Sequence, residues 1–202
     1  MNKNTKSVVL LILSILFLIF SFLNNWYICQ LYDAIFLLAI IPYIILMFSF
    51  NVILVLSIKL ISKDKMYINI LNLIFLTLSV ILFKFFPFTK AKVRYEVNKY
   101  EKQRLEIIEK IKNNDLKDVR HNIIELPKHY KKISTGGEVY VYQNDENGQV
   151  IGFWEFHGMQ SGSIIVVYST GGEELIRAKE TGHPIIKVEK LKDGWYYVET
   201  DE

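Results

Sequence analysis

Three apolar runs fill the first 88 residues, at positions 8–23, roughly 34–56 and about 67–86. A bilayer's hydrocarbon core of about 30 Å takes about 20 helical residues to cross, and each run is near that length. No Asp, Glu, Lys or Arg interrupts them. Lys59 and Lys84 stand at their ends, where a long stem can carry its ammonium to the interface. Trp26, Tyr27, Tyr32 and Tyr67 lie at the run boundaries, as an aromatic belt does. The pattern predicts a three-helix transmembrane anchor.

Composition sharpens the division. The chain has 202 residues, 51% hydrophobic and 22% charged, against about 45–50% and about 25% in soluble domains. Residues 1–88 carry six Lys and two acids, whereas residues 89–202 carry 18 basic and 19 acidic residues. All ten glycines lie from Gly136 onward. A single soluble globule, a secreted enzyme and a polytopic transporter of usual size are excluded. The lone cysteine, Cys29, leaves no internal disulfide.

Lys3 and Lys6 before the first run resemble the basic start of a signal peptide. No small-x-small cleavage pattern follows, and Cys29 is preceded by Trp26, Tyr27 and Ile28. The segment reads as an uncleaved anchor. The bundle reads as anchoring rather than conducting, because Pro42 is its one breaker and its polar residues are mild, such as Ser14, Asn51 and Thr77. Asn69 and Asn72, three apart, share a helix face. Their position near the third helix's start favours the headgroup region over a bond to a neighbouring helix.

Short segments set the orientation. The N-terminus carries Lys3 and Lys6, the second loop Lys59, Lys63 and Lys65, and the first loop only Asp33. Positive-inside counting then puts the C-terminal region on the extracytoplasmic face of the cell membrane. Six basic residues from Lys90 to Arg104 argue the other way, but long domains cross largely regardless of charge.

Residues 89–125 read as a helical juxtamembrane stalk after Pro87. Val93, Val97, Tyr100, Ile107, Ile108 and Ile111 recur three and four apart, in a stripe interrupted by Arg104. That stripe can pack on the terminal domain, pair with a second copy in a homo-oligomer, or lie on an anionic membrane surface; packing is the plainest use. Residues 126–202 read as a soluble domain. Strands are expected at 138–144, 149–157, 163–169, 185–191 and 195–200, with a short helix at 173–179. Asp193-Gly194 is a hairpin signal. The fold expectation is the helical anchor plus a small α+β domain, mostly antiparallel sheet.

The last 80 residues carry Leu126-Pro127, Tyr130-Lys-Lys-Ile-Ser134, Gly136-Gly137-Glu138, Phe153-Trp-Glu-Phe156, Tyr168-Ser169 and Trp195-Tyr196-Tyr197. This aromatic, turn-like pattern resembles the soluble domain of small uncharacterised membrane proteins of low-GC Gram-positive bacteria. The resemblance implies a bacterial cell membrane and no particular activity.

Little in the domain reads as chemistry. The histidines at 121, 129, 157 and 183 have no zinc-site spacing, so no metal and no cofactor are expected. Glu155 and His157, two apart on a strand, are the weak catalytic candidates; the plainer reading leaves them facing water or the stalk. A Ser-Thr-Gly-Gly-Glu sequence occurs at 134–138 and again at 169–173, reading as two turns of one local type. Trp154, Tyr168, Trp195 and Tyr197 are the binding candidates, since aromatics anchor interfaces as well as sheets. Residues 138–202 hold five basic and twelve acidic residues, which disfavours nucleic acid. The functional expectation is a non-enzymatic, membrane-anchored protein whose domain binds a protein or cell-envelope partner. The alternatives are a cytoplasmic-facing regulator or immunity-type membrane protein, and a small membrane-bound hydrolase using Glu155 and His157.

Overall fold

The computed structural model describes residues 3–28, 36–59, 66–116, 122–156, 162–178 and 184–201. They form two compact units, Met1–Thr89 and Lys90–Glu202.

The first unit contains α1 (Lys3–Ile28), α2 (Phe36–Lys59) and α3 (Met66–Phe85). Two of these helices are long and apolar enough to cross a membrane, over Thr5–Trp26 and Ile41–Lys59. The third has a shorter apolar stretch, Met66–Leu82. Pro87 separates α3 from α4, because the residue before a proline is pushed out of the helical region.

In this unit the apolar and polar faces are inverted relative to a water-soluble bundle. Ser7, Ser14 and Ser21, seven apart on α1, are buried together with Asn25, and so are Ser57, Asn69, Asn72 and Ser79. Large apolar side chains such as Leu16, Ile44, Phe48 and Ile74 face outward. Asn72 joins all three helices: the Ser14 hydroxyl bonds Asn72 Oδ1, and Asn72 Nδ2 donates to Ser57 Oγ. Both Asn69 and Asn72 are buried, and Asn72 makes the bond to neighbouring helices that the sequence reading placed second. A carboxamide offers donor and acceptor at once, so one side chain can serve two neighbours. Leu10, Ile53 and Leu76 close a small apolar cluster beside it.

The second unit begins with α4 (Phe88–Lys112), of which residues from Lys90 onward belong to it. Asn114, at φ 59°, ends the helix, and the Asp115 amide returns to the Lys110 carbonyl at 2.9 Å. Asparagine tolerates the left-handed conformation that such a cap requires. Six antiparallel strands follow: β1 (Ile123–Glu125), β2 (Glu138–Asp145), β3 (Gly148–Phe156), β4 (Ser163–Ser169), β5 (Ile185–Lys192) and β6 (Trp195–Thr200). Their order across the sheet is β1-β2-β3-β4-β6-β5. Strand β1 is the one the sequence did not signal, because three residues are too few to express a period of two. The helix expected near 173–179 is α5 (Gly172–Arg177). Gly194, at φ 76°, makes the turn between β5 and β6, as its Asp-Gly pair predicts.

Both sheet faces are covered. On one, Ile151 and Phe153 of β3, Val166 of β4 and Trp195 of β6 pack with Val93, Val97, Ile107, Ile108 and Ile111 of α4. On the other, Val150, Trp154, Ile165, Val167, Tyr196 and Val198 pack with Ile176 of α5. The stripe expected to serve a stalk is thus built into the core of the same unit as the sheet. Packing on the terminal domain, the plainest of the three uses expected of the stripe, is the one the structure shows.

Candidate functional site

The densest chemistry in the second unit lies where α4 crosses β3. Arg104, the residue that interrupts the stripe of α4, is 1% exposed. Its Nε and Nη2 donate to the Ile133 carbonyl at 3.1 and 2.9 Å, and Nη2 meets Glu155 Oε1 at 2.5 Å. The guanidinium carbon sits 5.3 Å from the centroid of the Phe153 ring and 6.0 Å from that of Tyr100. Glu155 is likewise buried, and the Glu96 carboxyl, two turns before Arg104, stands close enough to act on it. Burial, and then the neighbouring Glu96 carboxyl, push the Glu155 carboxyl up to about 8, while Arg104 pulls it down.

The surrounding backbone is tied to this cluster. Thr135 Oγ1 donates to the Glu155 carbonyl at 2.9 Å, and the Trp154 amide donates to Ser134 Oγ at 2.8 Å. Ser134 Oγ also reaches the Glu138 carbonyl. In the second Ser-Thr-Gly-Gly-Glu, Ser169 Oγ donates to the Gly172 carbonyl at 2.9 Å. In both copies a serine hydroxyl closes the turn. The first forms a 3₁₀ turn with Gly136 at φ 80°, while the second leads into α5.

Each residue expected to act can now be placed. Glu155 is neither at water nor in a cleft; it is half of an interior ion pair that pins α4 to the sheet. His157 lies outside the described residues, and so do His121 and His183. His129 packs against the Tyr130 ring, with centroids 4.2 Å apart. Among the described residues no group of three or more His, Cys, Asp or Glu could hold a metal. The four aromatic binding candidates need correction: Trp154, Trp195 and Tyr197 are buried, and Tyr168 is half-buried with its ring 5.4 Å from Trp195. Their area is spent inside the core, because a six-strand sheet covered on both faces must fill two layers.

The residue missed in the sequence as a functional partner is Arg104. Its signal was present: a charge within an apolar stripe of α4 and a charge on a β3 strand whose other positions are apolar call for one another. What the second unit leaves outside is different. Arg94, Tyr95, Lys99 and Lys102 are exposed on α4, and Lys99 Nζ stands 5.5 Å from the Tyr95 ring centroid. The nearby acids are engaged: Glu96 with Glu155, and Glu101 with Lys192 at 2.7 Å. This half of the helix presents basic and aromatic side chains on its exposed face, with Arg94 reaching Glu189 at 3.4 Å.

Compared with protein-family models, with curated proteins and with solved structures, the chain matches no family model, no curated protein and no solved structure.

Proposed function

We propose that this chain is a non-enzymatic, membrane-anchored protein. In this reading α1–α3 form a multi-pass anchor in the cell membrane, and Lys90–Glu202 is an interaction domain for a protein or cell-envelope partner on the extracytoplasmic face. The observation that carries the reading is the opposite direction of burial in the two units. Met1–Thr89 hides serines and asparagines and turns large apolar side chains outward, as a bilayer rewards. Lys90–Glu202 closes its aromatics into a core and holds its buried carboxylate in an ion pair. A hydrolytic role has less support, since Glu155 is held by Arg104 and Glu96 and has no free face to offer a substrate.

A second reading, a cytoplasmic-facing regulator or immunity-type protein acting by contact within the bilayer, draws on the exposed Arg94, Lys99 and Lys102 just after α3. One experiment separates them. Intact cells carrying a C-terminally tagged chain are treated with a non-permeant protease. Loss of the tag with the helical fragment protected supports the extracytoplasmic domain. Survival of the tag until lysis overturns that orientation and favours the second reading.

A further inference from the structure

The bundle turns most of its polar side chains inward, but Asn51 on α2 and Thr77 on α3 face out, and of the two only Asn51 carries a carboxamide. Asn51 is exposed, and its Nδ2 donates to the Met47 carbonyl of its own helix at 2.7 Å. No other hydrogen bond is made by its carboxamide among the described residues. It lies eight residues before Lys59, or about 12 Å along the helix at 1.5 Å per residue. If Lys59 marks the interface, Asn51 is deep in hydrocarbon, where no water is present to satisfy an amide.

The positions around it are arranged for a helix partner. Ile44, Phe48, Asn51, Val55 and Ile58 follow one another at steps of four, three, four and three, and all are exposed, Phe48 at 71%. This is the seam spacing of a left-handed helix pair. The seam that α2 uses inside its own bundle, Leu46-Phe50-Ile53-Ser57, has the same steps and lies on the opposite side of the helix.

We propose that a second copy of this chain docks along the outer seam of α2, with the two Asn51 carboxamides hydrogen-bonded across a two-fold axis. The argument for a second copy is complementarity. A carboxamide carries both a donor and an acceptor, so identical residues facing each other across a dyad satisfy one another. A single asparagine in an apolar seam is a known means of fixing two-stranded pairing and its register. The proposal rests on the membrane-anchor reading above.

The test uses the full chain with Cys29→Ser, labelled for energy transfer and reconstituted into phosphatidylcholine–phosphatidylglycerol vesicles over a series of lipid dilutions. The expected result is transfer that falls with dilution, with N51L shifting the midpoint about tenfold toward higher protein density and N51Q, which keeps the amide, staying near the parent. Leucine is at home in such a helix, so N51L leaves the bundle intact. Oxidation should crosslink N51C to its copy and leave I45C, on another side of α2, largely uncrosslinked. Protein retained on membranes through alkaline carbonate but showing no transfer, or N51L pairing as well as the parent, overturns the dimer alone. Protein released by carbonate overturns the anchor reading and the dimer with it. In cell membranes, N51C crosslinked to a different protein and never to itself also overturns the second copy.

Discussion

The two units of this chain bury polar groups on opposite terms. In Met1–Thr89 the buried polar groups are neutral and their partners are local: Ser14, Ser57 and Ser79 bond back to carbonyls four residues earlier, and Asn72 then links Ser14 and Ser57 across helices. In Lys90–Glu202 the buried polar feature is ionic, and Arg104 and Glu155 are 51 residues apart in sequence. The difference follows from the unfolded reference. With the first unit's helices inserted in lipid, as proposed above, each serine keeps its own backbone bond, so docking adds little per contact. Arg104 and Glu155 leave water on folding, so each depends on the other remaining in place.

The largest effect that would break this contrast is at Arg104. R104A strands the Ile133 carbonyl and Glu155 without their buried donor and should destabilise the second unit by about 2–4 kcal/mol. Hydrogen exchange on the full chain should show residues 90–202 losing protection while α1–α3 keep theirs. The double variant R104L/E155L should recover most of the loss, because an apolar pair of similar bulk needs no compensation. If R104A leaves exchange unchanged, the pair does not hold α4 to the sheet.

A smaller effect should appear with pH. The folded Glu155 carboxyl is raised to about 8 from its ordinary 4.5, first by burial and then by Glu96. Between those values the folded unit holds a proton that the unfolded chain has released. Its stability is therefore greatest at the acid end of that window and falls as pH rises toward about 8, by an amount of order a few kcal/mol. E96Q removes the competing carboxyl, so it should shrink this slope and stabilise the unit at pH 8 more than at pH 5. Denaturant titrations at both values measure it. An E96Q slope equal to the parent's would mean that burial alone raises Glu155.

The smallest effect belongs to the helical unit. N72L removes the link among α1, α2 and α3 but strands no charge, and Ser14 and Ser57 retain their carbonyls. The loss should be about 1 kcal/mol, as for hydrogen bonds between membrane helices. Unfolding in mixed detergent micelles would read it. A loss as large as that of R104A would erase the contrast between the units.

Much of the architecture was legible because it depends on local patterns. Apolar runs give α2 and α3 to within three residues of their ends and α1 to within five, and period-two alternation with Asp193-Gly194 gives β2 through β6. The site was less legible. Trp154, Trp195 and Tyr197 carry the composition of a binding surface, and nothing in their sequence neighbours says that two layers of core would absorb them. Glu155 looked like half of an acid–base pair because its nearest histidine in sequence is His157. Its real partners, Arg104 and Glu96, come from another element altogether. The heptad of serines at Ser7, Ser14 and Ser21 was readable as a single helix face, but serine is mild enough in hydropathy that the apolar average hides it.

By itself the sequence determined the long helices and the strands from β2 onward, and that the chain divides into a greasy part and a water-compatible part, because periodicity and hydropathy act on residues near one another. Only the tertiary structure decided that α4 belongs inside the second unit's core, that Arg104 meets Glu155, that Asn72 lies inside its bundle and that Asn51 faces out. Those outcomes turn on which faces of distant segments meet, and hydropathy averaged along a chain carries no information about the direction in which a side chain points.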